Sequence, residues 1–135
     1  MNTEAVADEA AWASRDYRPA DAPVLYTLLQ GSLPDEAGFA RQLADAWVRV
    51  ACASDGAVLG FAAIALPGTI EYLFVAPEAR RQGIATALLE DLYFLAAAMG
   101  SGQIRVDAPE EARLFFVSQG FVAVDGQRLE KRLSA

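Results

Sequence analysis

Residues 70 to 89 read IEYLFVAPEARRQGIATALL, and the placing of their charges and one glycine suits the binding of an anion. A helix that begins near Gly83 leaves the N–H groups of its first turn unpaired, with the positive end of the helix dipole behind them. Gly83 sets no Cβ in the way of a phosphate, and Arg80 and Arg81 bring two guanidinium forks that match phosphate oxygens in parallel hydrogen bonds. A plainer role fits the same residues: a glycine that eases a helix start, with two solvated arginines on a surface loop. Other chemistries are absent from the composition. Without histidine there is no Ser-His or Cys-His nucleophile and no His-bearing metal site. The lone Cys52 cannot form an internal disulfide, and between Val50, Ala51 and Ala53 it reads as a small buried core residue rather than a nucleophile.

The elements that must hold this segment follow from periodicity and punctuation. Thr69 to Val75 is a strand opened by the Pro67-Gly68 turn and closed by Pro77. Ile84, Leu88, Leu92 and Leu95 line one face of a helix that stops at Gly100. Gln103 to Val106 then returns as a strand parallel to the first, because a crossover helix links parallel neighbours. Upstream, Asp21 with Pro23 starts a helix carrying Val24, Leu25, Leu28 and Leu29 and ended by Gly31. After Pro34, Asp35 and Glu36, the recurrence of Phe39, Leu43 and Trp47 predicts a second amphipathic helix ending near Ala46. Val48 begins a strand, and Asp55-Gly56 joins it to its antiparallel neighbour in a hairpin. Downstream, Pro109 and Glu110 open a helix that runs through Phe116 to Gly120. The strands Phe121 to Val124 and Arg128 to Leu133, around Asp125-Gly126, finish the sheet. Residues 1–15, Ala-rich and acidic with Trp12 their only large apolar group, read as an N-terminal extension that frays or docks as a helix, on its own domain or on a neighbour. Residues 16–135 read as a single domain.

The 135 residues suffice for one hydrophobic core, and an apolar fraction of 54% is enough to offset the entropy of ordering it. Eighteen carboxylates against 11 basic groups leave a net charge of -7, which repels a nucleic-acid backbone. The same charge attracts a cationic partner such as an amine or simply keeps the surface soluble. No apolar run reaches the roughly 18 residues that a membrane helix needs, and the acidic N-terminus is unlike a signal peptide. A cytoplasmic protein that binds neither nucleic acid nor membrane is the expectation.

The segment around Gly83 resembles the acetyl-coenzyme A motif of the GNAT (Gcn5-related N-acetyltransferase) family, Gln/Arg-x-x-Gly-x-Gly/Ala, matched by Arg80, Gly83 and Ala85. Residues 112–121, ARLFFVSQGF, resemble the family's Ala-x-x-Phe-Tyr-x-x-x-Gly-Phe pattern. The likeness covers about residues 16 to 133. It implies a mixed α+β fold, a three-layer αβα sandwich whose mostly antiparallel sheet holds a central, splayed parallel strand pair. It also implies an acetyl-CoA-dependent N-acetyltransferase. Leu73, Phe74 and Val75 would offer backbone groups to the pantetheine arm. Arg80, Arg81, Gln82, Gly83, Ile84, Ala85 and Thr86 would hold the pyrophosphate, with Phe115 and Phe116 on the other wall. For Phe115, plain core packing is an equal reading. The acceptor is a small-molecule or peptide amine, and a homodimer is a further expectation.

Glu71 resembles the glutamate some relatives use as general base, with surface charge as its other reading. Three departures stand out. Phe116 occupies the place of the tyrosine that protonates the departing thiolate, Pro109 that of a frequent asparagine, and Ile104 that of an alternative base, which leaves Asp107 as a weak candidate. Tyr72, Tyr26 or water remains for the acid. These losses motivate a second reading, a non-catalytic acyl-CoA-binding regulatory module, and a third, a partner subunit that binds no coenzyme.

Overall fold

The run from Val58 to Ala65, VLGFAAIA, has no polar face, so a strand there must be covered on both sides. In the computed structural model, which describes residues 11–29 and 35–133, it is. Phe61 and Ala63 enter one core with Leu25, Phe39 and Leu43, which project from helices α1 (Ala22–Leu28) and α2 (Glu36–Ala44). Ala62 and Ile64 enter another with Ile84, Leu88 and Leu92 of α3 (Ile84–Ala98), and Phe116 of α4 (Glu110–Ser118) joins them. Between the cores lies one sheet of seven strands. These are β1 (Trp12–Asp16), β2 (Trp47–Ala53), β3 (Val58–Ala65), β4 (Thr69–Val75), β5 (Gln103–Asp107), β6 (Val122–Asp125) and β7 (Arg128–Arg132), in the spatial order β1-β2-β3-β4-β5-β7-β6. Every pairing is antiparallel except the central one, β4 with β5. The architecture is the αβα sandwich that the resemblance implied. Among the described residues no helix is long and apolar enough to cross a membrane.

Four local expectations change. Residues 12 to 15 neither fray nor form a helix: they belong to β1, an edge strand in register with β2 from Trp12 opposite Ala53 to Asp16 opposite Arg49. Trp12 packs against its own core. Helix α2 ends at Ala44, so Trp47 opens β2 as an exposed residue instead of closing the helical stripe, and Val48 behind it points inward. Asp21 does not cap α1 with its side chain. Its carboxylate instead receives both amino groups of Arg15, at 2.9 Å each, and the Arg18 N–H at 2.8 Å, which latches β1 to the turn before α1. Cys52 is half-buried at the margin of the α1–α2 core. Asp35 caps α2 by accepting from the Gly38 N–H. The helix stop at Gly31 and the start signal at Pro34 lie outside the described residues.

Candidate functional site

Two irregularities meet on β4. In its pairing with β3, Ala63 stands opposite Tyr72 and Ile64 opposite Ile70, so Glu71 is the extra residue of a β-bulge. A bulge re-aims the side chains around it. Here Ile70 and Leu73, three positions apart, both reach the α3 core, while Tyr72 and Phe74 reach the α1–α2 core. On its other edge β4 meets β5 through two residue pairs, Thr69 with Arg105 and Ile70 with Val106, after which the strands part. Among the described residues, β4 therefore has no strand beside it on that edge from Glu71 to Val75. Gly60 sets the opposite edge: a Cβ there would lie 2.4 Å from the Phe74 carbonyl oxygen and 3.1 Å from the Val75 Cα.

The parted end of β4 faces the start of α3. Arg81 and Gly83 both adopt left-handed backbone, at φ 67° and 81°, and Gly83 is the N-cap of α3. Among the described residues no side chain caps that helix. Its first-turn N–H groups are thus left for an external acceptor, and left-handed residues within a turn are a geometry by which backbone amides form anion-binding concavities. Among the described residues no atom beyond Gly83's chain neighbours lies within 4 Å of where its Cβ would stand, so the positive φ is what demands glycine inside the chain itself. Arg80 donates from Nε to the Val75 carbonyl at 3.2 Å and ties the turn to the strand end. Arg81 is exposed.

Between these elements opens a cleft of about 470 Å³. Leu73, Phe74 and Val75 form one wall, Arg80, Arg81, Gly83, Ile84, Ala85 and Thr86 the floor, and Phe115 and Phe116 the wall opposite. Of the residues singled out from sequence for the coenzyme, all but Gln82 line it, and Gln82 is exposed. Glu71 lies outside the cleft. It lines a second cavity of about 230 Å³, together with Tyr72, Asp107 and Pro109, and that cavity shares Leu73, Phe74, Ala112 and Phe116 with the cleft. The two spaces meet across the fork between β4 and β5.

The tyrosines considered as acids are engaged in packing. The Tyr72 hydroxyl donates to Gln42 Oε1 at 2.7 Å, and its ring stands edge-on to Phe39 at 5.4 Å. Burial, with the Glu71 charge adding to it, raises the Tyr72 phenol above the ordinary tyrosine pKa. Tyr26 packs on Phe39 at 5.8 Å. Phe116, only 4% exposed, is edge-on to Phe115 and Phe121 and offers no proton to either space.

Sequence reasoning missed Ala79, Glu111 and Ala112 in the lining of the cleft, Gln42 behind Tyr72, and Gly60. Gly60 carried a usable signal, since a glycine inside a strand pattern marks a bulge or a close backbone approach. So did the three-residue spacing of Ile70 and Leu73, which does not fit a regular strand. Glu111 and Gln42 carried none, as exposed polar residues on helices.

Against known proteins, a family model for the acetyltransferase (GNAT) domain matches residues 30–134. The uncharacterized N-acetyltransferase YafP of Escherichia coli (strain K12) is 41% identical over 63 residues, 47% of this chain and 39% of that protein, so the match spans well under half of the relative's length. Among solved structures, the GCN5-related N-acetyltransferase from Rhodopseudomonas palustris superposes with a TM-score of 0.84 at 27% identity, covering 92% of this chain and 97% of that one. Ard1 from Thermoplasma volcanium superposes at 0.78 with 21% identity, over 93% of this chain and 100% of its own, a likeness of fold.

Proposed function

The chain belongs to the GNAT acetyltransferase family, and from that premise we propose that it is an acetyl-CoA-dependent N-acetyltransferase in which an acceptor amine attacks the thioester directly. The observation that carries this reading is the cleft formed where the uncapped, doubly left-handed turn of Arg81 and Gly83 faces the unpaired edge of β4. A phosphate-bearing ligand with an amide-rich arm fits it: phosphates on the amides that open α3 and beside Arg81, amides along the β4 edge as an added strand. When bound, acetyl-CoA supplies an acyl carbon activated by a thiol leaving group.

The chain's own residues orient, polarise and exchange protons. Backbone N–H groups on the open edge of β4 orient the thioester carbonyl and stabilise charge on its oxygen. Glu71, in the adjoining cavity, accepts a proton from the attacking amine as the C–N bond forms. Phe116 would have no proton to give a departing thiolate, which would leave solvent as the proton source. General-acid help is typically worth ~10²- to 10⁴-fold, whereas positioning alone supplies several kcal/mol, so this loss slows turnover without abolishing it.

Calorimetry with acetyl-CoA and thiol release over an amine panel test the reading. Binding with acceptor-dependent thiol release is expected, and Glu71→Gln should lower kcat by ~10²-fold while leaving coenzyme affinity in place. Binding without thiol release on any amine would favour a regulatory coenzyme-binding module. Unchanged turnover in Glu71→Gln would remove that residue from the mechanism.

A further inference from the structure

The cavity beyond the fork carries information about the acceptor, provided that acetyl-CoA occupies the neighbouring cleft as proposed for the donor. Its volume, about 230 Å³, has room for an aromatic ring on a short chain. Leu29, Val106, Phe74 and Phe116 give it apolar walls. The charged groups that line it, Glu71 and Asp107, are both carboxylates, and among the described residues no lysine or arginine lines it. The guanidinium bonded to this rim, Arg128, is already donating to Asp107 Oδ1 at 3.2 Å.

Such a space suits an ammonium group and rejects an anion. A ligand bearing both an amine and a carboxylate would bring its negative charge towards Glu71 and Asp107, with no cation among the described lining residues and Arg128 already paired with Asp107, which penalises it relative to the same body without the carboxylate. We propose that the acceptor is a small primary monoamine with an apolar body of about one ring and no anionic group, so that free amino acids and phosphorylated amines are discriminated against. Asp107, with a side chain 66% exposed, is a specificity-determining residue in this scheme and not a catalytic one.

The test compares 2-phenylethylamine with phenylalanine, which share a ring and a similarly basic amine and differ by one carboxylate, and adds spermidine as a long polycation. Thiol release should give 2-phenylethylamine a kcat/KM on the order of five- to tenfold above phenylalanine, the exposure of Asp107 limiting the effect. Equilibrium binding to the protein saturated with coenzyme A, where no reaction occurs, should follow the same order. Asp107→Asn removes one carboxylate and frees Arg128, so the ratio should shrink at least about twofold. Equal or better use of phenylalanine, a preference for spermidine, or a ratio unmoved by Asp107→Asn overturns the proposal. If coenzyme binds and no amine of the panel is acetylated, the acceptor assignment fails and the donor site stands. If coenzyme does not bind, the donor-site reading fails first.

Discussion

Arg81 holds a left-handed backbone, φ 67°, that an L side chain adopts at a cost, and it does so two residues before Gly83, which holds φ 81° at none. Replacing Arg81 by glycine should therefore move two properties in opposite directions. The strain relieved is about 1–2 kcal/mol, and the extra freedom of glycine in the unfolded chain takes back about 0.4–1 kcal/mol. A net gain of roughly 0.5–1 kcal/mol remains, a rise in Tm of about 2–5 °C for a domain of this size. The guanidinium is lost at the same time. A charge-assisted hydrogen bond to phosphate contributes about 1.5–3 kcal/mol when shielded, and Arg81 is exposed, so about half of that is realistic and coenzyme affinity should fall about five- to tenfold. Arg81→Ala separates the two effects, because it deletes the charge and keeps the Cβ: affinity should fall equally and Tm should stay within about a degree. Thermal unfolding and calorimetry at low and high salt read both properties, with the affinity difference shrinking as salt rises. A glycine variant that melts at or below the wild type refutes the account of the turn. A glycine variant that binds coenzyme as tightly as the wild type refutes the placing of Arg81 beside the phosphates.

Gly60→Ala would set a methyl group 2.4 Å from the Phe74 carbonyl oxygen, against backbone that cannot swing aside, so β4 must shift. Expected are about 1–3 kcal/mol of lost stability in urea unfolding and weaker coenzyme binding; a variant unchanged in both would show that the β4 edge does not depend on this approach. Phe116 lines both cavities, so in Phe116→Tyr kcat should rise at least about tenfold if thiolate protonation limits turnover; a folded, coenzyme-binding variant with unchanged kcat would show that it does not. The Arg15 hydrogen bonds, chiefly, hold the Asp21 carboxyl below its ordinary pKa, so the latch stabilises the fold above the usual carboxylate range and weakens as pH falls through the depressed value. Asp21 is 13% exposed, and Asp21→Asn should cost about 1–2 kcal/mol at neutral pH, the gap to wild type closing in acid; a gap independent of pH in urea unfolding would contradict this.

The parts of this fold that are local in sequence were legible in it. Ile84, Leu88 and Leu92 announce the buried face of α3 because helical periodicity needs no partner to be seen, and all three are fully buried. Asp55-Gly56 announces its hairpin by turn chemistry: Gly56 has φ 92° and the Asp55 carboxylate accepts from the Ala57 N–H at 2.9 Å. What stayed hidden depends on distant pairing. Strand β1 exists because β2, more than thirty residues away, offers it a ladder, while its own sequence, Trp-Ala-Ser-Arg-Asp at the end of an Ala-rich stretch, carries no strand pattern. Trp47 falls four residues after Leu43 by coincidence, and only the pairing of β2 with β3 makes it a strand residue.

The bulge at Glu71 was legible only in part: the spacing of Ile70 and Leu73 marks an irregularity, and the pairing with β3 places it at Glu71. Under regular alternation Glu71 would share a face with Leu73 and Val75, both of which enter the α3 core, and a carboxylate among them without a partner would cost several kcal/mol or give up its charge. Shifting the register by one residue would not help, since the opposite face of β4 packs Tyr72 and Phe74 into the α1–α2 core. The extra residue removes the conflict: Ile70 takes the place in the α3 core, alternation resumes at Tyr72, and Glu71 belongs to neither core, half-buried in the wall of the cavity beyond the fork. On this strand, packed on both faces, the interrupted period is what keeps the carboxylate out of both cores. It is the same strand, just past its last pair with β5, whose open edge borders the cleft.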